Sequence, residues 1–101
     1  VSERVLRILT DSPRPPGLQE LADNWGLSSR TLHRQLRREG TSFRLLLEQV
    51  RRERAVGMLL DGRSRVRDIA QALDMTEPAF SRAFKQWTGL SPLSYRRARS
   101  S

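Results

Sequence analysis

The sequence LQELADNWGLSSRTLHRQL at residues 18–36 is matched, 48 residues later, by VRDIAQALDMTEPAFSRAF at residues 66–84. In both stretches apolar residues recur at intervals of three and four, which is the spacing of one buried face on an α-helix. Each stretch is therefore predicted to form two helices joined by a short turn. Two copies in register indicate the fold more strongly than one, because any helical hairpin can imitate a single copy.

The turn in each stretch has the composition of a helix-turn-helix. In the first stretch the small residue Ala22 is followed four residues later by Gly26 and then by the apolar Leu27. A small residue lets the two helices approach, glycine accepts a left-handed conformation, and the apolar side chain fills the angle between the helices. In the second stretch Asp74 replaces the glycine, and aspartate tolerates the left-handed region better than most residues do.

The remainder of the chain is also predicted to be helical, since no stretch alternates with the period of a β-strand. We expect one DNA-binding domain over residues 1–101, with helix-turn-helix units at about 18–39 and 66–88. A linker helix is expected at about 42–60, after Gly40. Such a helix would be about 28 Å long, close to the spacing of roughly 34 Å between successive major-groove faces. This length favours two recognition helices in neighbouring major grooves.

The composition excludes several classes of function. Nineteen Lys and Arg against eleven Asp and Glu give a net charge of +8, which favours a polyanionic partner, nucleic acid first. The absence of cysteine excludes thiolate metal sites and cysteine nucleophiles, and His33 is the single histidine. We therefore expect no metal and no cofactor. The apolar runs are far too short for a membrane span, so no membrane partner is expected.

The outward face of the first recognition helix is basic. Leu32 and Leu36 are predicted to be buried, which leaves four donors at intervals of three and four on the opposite face. Long donors of this kind reach guanine edges or phosphate oxygens from a helix in the major groove. A solvated basic face is the alternative, and His33 has the weakest case for base contact. The predicted DNA-binding residues of this helix are Arg30, His33, Arg34 and Arg37.

The outward face of the second recognition helix is less basic. Residues 28–39 carry a net charge of +3, whereas residues 76–88 carry +1, so the first unit is predicted to supply more of the electrostatic affinity. Glu77 either accepts a hydrogen bond from cytosine N4 or interacts favourably with the positive end of its helix dipole. We prefer the second interpretation. The outward positions of this helix are Glu77, Pro78, Ser81, Arg82 and Lys85, and the predicted DNA-binding residues among them are Glu77, Ser81, Arg82 and Lys85.

Two further features concern phosphate and aromatic contacts. Two helices are predicted to begin near Ser42 and Ser91. The free backbone N–H groups of their first turns are predicted to bind DNA phosphates. The arginine clusters at 51–54 and 96–99 are interpreted mainly as solvated surface. The alternative is that some of these arginines contact DNA phosphates. The aromatic residues recur at core spacing, so core packing is favoured over a stacking platform for single strands.

Residues 80–96, FSRAFKQWTGLSPLSYR, resemble the AraC/XylS family of bacterial transcription regulators. Residues 32–60, LHRQLRREGTSFRLLLEQVRRERAVGMLL, are similar to the first recognition helix and linker helix of that family. The resemblance implies an all-α domain of seven helices, with two helix-turn-helix units joined by a long central linker helix. It also implies base-reading roles for Arg30, His33, Arg34, Glu77, Pro78, Ser81 and Arg82.

The leading hypothesis is sequence-specific binding of double-stranded DNA by a transcription regulator of the bacterial cytoplasm, without catalysis. RNA polymerase is an expected second partner, and an N-terminal effector or dimerisation domain is expected to be missing from this chain. A non-specific architectural nucleic-acid binder is the main alternative, and a basic protein-interaction module is another. An enzyme is least favoured, because the acids lack metal-ligand clustering and no nucleophile has a histidine partner.

Overall fold

A computed structural model describes residues 1–99, and all regular structure in this range is helical. The predicted all-α fold of seven helices, with two helix-turn-helix pairs and a long central helix, is confirmed for the described residues. The central helix, α4, has 19 residues. The helices are α1 (Ser2–Asp11), α2 (Leu18–Asn24), α3 (Ser29–Arg38), α4 (Phe43–Asp61), α5 (Val66–Ala72), α6 (Glu77–Thr88) and α7 (Pro92–Arg99).

The chain divides into two compact units, unit 1 (Val1–Val50) and unit 2 (Arg51–Ser101), and the division falls within α4. Each unit has a buried apolar cluster of its own. The cluster of unit 1 consists of Val5, Leu9, Leu21, Ala22, Leu32, Leu36, Leu46 and Val50. The cluster of unit 2 consists of Ala55, Leu59, Ile69, Ala70, Leu73, Phe80 and Phe84.

The 48-residue repeat is visible in the backbone of the two turns. The Leu27 N–H donates to the Ala22 carbonyl at 2.8 Å, and the Met75 N–H donates to the Ala70 carbonyl at 2.9 Å. The intervening residue is left-handed in both turns, with φ of +67° at Gly26 and +59° at Asp74. The second turn therefore adopts the same conformation as the first although it lacks the glycine, as the sequence predicts.

The N-termini of α3 and α6 are capped in the same way. The Ser28 hydroxyl accepts a hydrogen bond from the Thr31 N–H at 3.0 Å, ahead of α3. The Thr76 hydroxyl accepts one from the Ala79 N–H at 3.3 Å, ahead of α6. The first backbone N–H groups of a helix have no acceptor within the helix, and a hydroxyl at this position accepts a hydrogen bond from one of them. Both α3 and α6 consequently begin at a defined residue directly after the turn that precedes them.

Packing of the inner faces fixes which sides of α3 and α6 face outward. In unit 2, Phe80 and Phe84 are fully buried, and the Phe84 ring meets the Tyr95 ring edge-on at 5.2 Å between centroids. In unit 1, Leu32 and Leu36 are fully buried, and the Arg4 guanidinium lies over the Trp25 ring at 4.8 Å. The buried phenylalanines agree with the core role predicted for the aromatic residues.

Candidate nucleic-acid interface

The predicted residues of the first recognition helix share one surface of α3. Arg30, His33, Arg34 and Arg37 are all exposed, on the face opposite the buried leucines. Together with Arg38 they line a shallow depression of about 480 Å³. We call these five residues the α3 basic face. Arg38 was not predicted as a site residue, although its spacing of four from Arg34 in the sequence was a usable signal.

The α3 basic face has no acidic partner. Within residues 1–99, no carboxylate oxygen lies within 4.0 Å of a guanidinium nitrogen of its four arginines. Like charges at intervals of three and four repel one another along a helix. An anion bound against this face would relieve the repulsion, so the arrangement favours the binding of a polyanion such as DNA.

Glu39, the acid nearest in sequence to this face, is engaged with α1 instead. Its Oε1 accepts hydrogen bonds from the Ser2 N–H at 3.1 Å and the Ser2 hydroxyl at 2.8 Å, and its carboxylate contacts the Val1 amino group at 3.3 Å. The backbone hydrogen bond from Ser2, followed by the bond from the Ser2 hydroxyl, lowers the pKa of Glu39 below its usual 4.5. These contacts were not predicted, because the partners lie 37 and 38 residues away.

The outward residues of α6 form a less charged surface. Glu77, Pro78, Arg82 and Lys85 are exposed, whereas Ser81 is half-buried. Glu77 lies in the first turn of α6, where a carboxylate interacts favourably with the helix dipole. It also lines a depression of about 380 Å³ to which α5 and α7 contribute. The other residues lining this depression are Arg65, Val66, Arg67, Leu93 and Arg96.

The two predicted phosphate sites at helix starts are built alike. The Ser42 hydroxyl accepts from the Leu45 N–H at 3.1 Å, and the Ser91 hydroxyl accepts from the Ser94 N–H at 3.2 Å. Both serines therefore cap their own helices. Since each cap satisfies only one amide, the neighbouring backbone N–H groups of the first turn are the donors that these positions offer to a phosphate.

Arg96 has a structural role in unit 2 and differs from the solvated surface expected of its cluster. Its Nε donates to the Leu59 carbonyl at 3.0 Å, and its Nη2 donates to the Ser64 carbonyl at 2.6 Å. The guanidinium thus ties α7 to the C-terminal end of α4 and to the loop that follows. Arg99, in the same cluster, lies over the Tyr95 ring at 5.1 Å. Neither contact is visible in the spacing of charges along the sequence.

The described residues contain neither a metal-ligand cluster nor a helix suited to span a membrane. Residues 1–99 contain no cluster of three or more His, Asp or Glu side chains able to hold a metal ion. None of the helices formed by these residues has both the length and the apolar composition that a membrane crossing requires.

Comparison with known proteins places these features in a family. Residues 21–98 match the family described as "Helix-turn-helix domain", HTH_18. The uncharacterized HTH-type transcriptional regulator Rv1395 of Mycobacterium tuberculosis is 38% identical over 92 residues, which are 90% of this chain and 27% of that protein. The ornithine utilization regulator of Pseudomonas aeruginosa is 35% identical over 97 residues, or 94% of this chain and 29% of that one.

A solved structure shows the same fold. The C-terminal domain of AraT, a response regulator from Geobacillus stearothermophilus, superimposes with a TM-score of 0.86 at 31% identity, and the match covers 97% of this chain and 84% of that one. By contrast, this chain spans little more than a quarter of the length of the curated relatives that it matches.

Proposed function

The chain belongs to the AraC-type helix-turn-helix family of bacterial transcription regulators, which are not enzymes, and from this premise we propose that α3 and α6 are its recognition helices. The corresponding function is sequence-specific binding of double-stranded DNA. The observation that carries this proposal is the α3 basic face, which presents four guanidinium groups without an acidic partner within 4.0 Å in the described residues.

In unit 1 we assign base reading to Arg30, His33 and Arg34. An arginine on a major-groove helix forms two parallel hydrogen bonds to guanine O6 and N7, whereas a phosphate is reached from the flanks of the helix. Arg37 lies one further turn along the exposed face, which favours a contact with either a base edge or a phosphate. The backbone amides after Ser42 are assigned to a phosphate.

In unit 2 the base-reading positions are Ser81 and Arg82, and Lys85 is assigned to a phosphate. Glu77 lies at the N-terminal end of α6, where the helix dipole stabilises its charge, and a bond to cytosine N4 is its alternative role. Pro78 has no side-chain donor, so only apolar contact with a base is open to it. The amides after Ser91 correspond to those after Ser42.

The two DNA segments are proposed to be neighbours. The chain between the two helix-turn-helix units contains a single helix of 19 residues, about 28 Å in length at 1.5 Å per residue. This length is comparable to the repeat of the major groove, roughly 34 Å. One copy of the chain would then read two unlike blocks of sequence.

Selection of bound duplexes from a random pool tests this function. We expect a selected motif with two blocks about one helical turn apart. An absence of sequence enrichment would instead favour the architectural nucleic-acid binder, and an absence of DNA binding at physiological salt would favour the protein-interaction module.

An arginine substitution tests the assignment of base reading to α3. Arg34→Ala is expected to relax the preference at one position of the motif and to cost about 1–3 kcal/mol of binding free energy. Arg7→Ala is the matched control, because Arg7 is an exposed arginine of unit 1 in α1, outside the α3 basic face and outside the helix starts assigned to phosphate. Equal losses in the two variants, with an unchanged motif, would contradict the assignment.

For the full-length regulator we propose location in the cytoplasm and RNA polymerase as a second partner. An effector-binding or dimerisation domain also stays a prediction for the full-length protein. Adding RNA polymerase to a complex of the full-length protein with a promoter that carries the selected motif tests the second partner. Joint occupancy that exceeds the product of the separate occupancies would support it.

A further inference from the structure

Unit 2 carries more net positive charge than unit 1, although its recognition helix carries less than that of unit 1. Unit 1 has eight Lys and Arg against six Asp and Glu, a net charge of +2. Unit 2 has eleven against five, a net charge of +6. The expectation that unit 1 supplies more of the electrostatic affinity rests on the recognition helices alone. Most of the positive charge of unit 2 therefore lies outside α6.

Part of this additional charge lies at the start of α5. Arg65 and Arg67 occupy the positions that correspond, through the 48-residue repeat, to Gly17 and Gln19 at the start of α2. Both arginines are exposed. The same point of the helix-turn-helix is therefore uncharged in unit 1 and doubly positive in unit 2.

Neither arginine is neutralised within the described part of the chain. No carboxylate of residues 1–99 lies within 4.0 Å of either guanidinium. Asp68, the nearest acid in sequence, accepts a hydrogen bond from the backbone N–H of Arg65 at 3.3 Å. Its carboxylate thus satisfies an amide at the start of α5 and leaves both side chains available to an external anion.

The surroundings place these two side chains beside the recognition helix of unit 2. Arg65 and Arg67 line the same depression as Glu77, the first residue of α6. Arg96, at the same depression, is already bonded to the carbonyls of Leu59 and Ser64. Two cations are therefore free next to the point where α6 begins.

We propose that Arg65 and Arg67 bind the DNA phosphate backbone beside the segment read by α6, and that they anchor unit 2 electrostatically. The proposal rests on the proposed function. Phosphate contacts fix the position and orientation of a protein on the duplex and carry no base information. This anchoring compensates for a recognition helix whose own net charge is only +1.

The test measures the salt dependence of DNA binding in a double variant, Arg65→Gln with Arg67→Gln. The control is Arg52→Gln with Arg63→Gln, which removes the same formal charge from exposed positions of unit 2 outside the depression, although Arg63 is paired with Asp61 at 3.7 Å. The probe is a duplex carrying the selected motif, titrated between about 50 and 200 mM salt. Each lost phosphate contact reduces the slope of log K against log salt by about 0.9.

We expect the Arg65 and Arg67 variant to lose about 1.8 from the slope, which corresponds to roughly a tenfold smaller fall in affinity over this salt range. The control slope and the selected motif are expected to stay unchanged. An unchanged slope in the test variant, or an equal reduction in the control, overturns the proposal. A changed preference at one base position also overturns it, since that result indicates base reading.

Two further measurements distinguish a failure of this proposal from misfolding of the variants and from a failure of the proposed function. Thermal unfolding of both double variants shows whether the fold is retained, and the exposure of all four arginines predicts wild-type midpoints. If the wild-type chain selects no motif, the proposed function fails. The slopes are then measured on a random duplex, where an unchanged slope in the Arg65 and Arg67 variant still counts against phosphate contact.

Discussion

Glu39 shows how a residue at the end of one helix can act on another helix. It directly follows Arg38 of the α3 basic face, yet its carboxylate accepts two hydrogen bonds from Ser2 at the start of α1. A carboxylate near a helix N-terminus is stabilised by the unpaired amides there. The same contact keeps the negative charge of Glu39 away from the face proposed to bind DNA.

Glu39 is expected to make stability depend on pH in the acid range. The pKa of Glu39 is lowered in the folded chain, chiefly by the hydrogen bonds from Ser2. Its contribution is therefore fully present above the usual value of 4.5 and is lost as the pH falls through the folded value. Glu39→Gln should lower the free energy of unfolding at neutral pH, and the difference from wild type should shrink as the pH falls.

Urea unfolding at several pH values measures this difference. Glu20→Gln is the control, since Glu20 is an exposed acid of unit 1 that forms no ion pair within the described residues. A difference between wild type and Glu39→Gln that stays constant with pH would contradict the proposed contact.

The left-handed residue of each turn permits a second test at the same scale. Gly26 and Asp74 have nearly the same positive φ, and a Cβ added at Gly26 would meet no atom within 4 Å. A substitution there therefore acts through backbone conformation. We expect Gly26→Val to lower the free energy of unfolding by about 1–2 kcal/mol more than Gly26→Asp. Chemical denaturation of both variants measures this, and equal losses would show that the turn changes conformation.

At the scale of helices, short-range patterns allowed most of the fold to be predicted. The apolar spacing and the turn residue of each repeat are local signals, and they lead to the pairs α2–α3 and α5–α6. A helix start was predicted near Ser91, but periodicity gave no end for α7 (Pro92–Arg99), and the total of seven helices came from the family resemblance. The outward positions of α3 followed from the burial of Leu32 and Leu36.

The functions of several polar residues could not be predicted, because their partners are distant in sequence. Arg96 donates to carbonyls 32 and 37 residues away, and the spacing of charges contains no information about such pairs. Likewise, the surface shared by α5, α6 and α7 requires three helices to be packed before Arg65, Arg67 and Glu77 become neighbours. Charge counting along one helix therefore missed the positive charge that unit 2 carries outside α6.

Arg96 is expected to stabilise the junction of α4 and α7. Arg96→Met should lower the free energy of unfolding by about 2 kcal/mol, because two carbonyls lose charged hydrogen-bond donors. Arg96→Lys should recover only part of this loss, since an ammonium lacks the planar fork that spans both acceptors. Thermal or urea unfolding measures both, with Arg52→Met as an exposed control. Full recovery in Arg96→Lys would assign the effect to charge alone.

For the whole molecule, the feature with the clearest consequence for stability is the presence of two buried clusters that share no residue. Leu36→Ala removes buried carbon atoms from the cluster of unit 1, and Phe84→Ala does so in unit 2. Losses of about 2–5 kcal/mol are usual for such changes in a core. We expect each variant to lose amide protection mainly in its own unit.

Hydrogen exchange resolved by residue measures this distribution. Leu45→Ala and Leu60→Ala are suitable controls, because these leucines are 55% and 52% exposed and lie in α4 on either side of the division. Equal loss of protection throughout the chain in Leu36→Ala would show that the two clusters unfold as one.

The repeat preserves the turn, the cap and the buried face, whereas the outward side chains have diverged in charge. On the proposed function, the two outward surfaces would read unlike segments of DNA, so the target would differ when read in the opposite direction. A single bound copy would therefore have one defined orientation along the duplex. Such a copy would distinguish the upstream from the downstream side of its target without a second subunit.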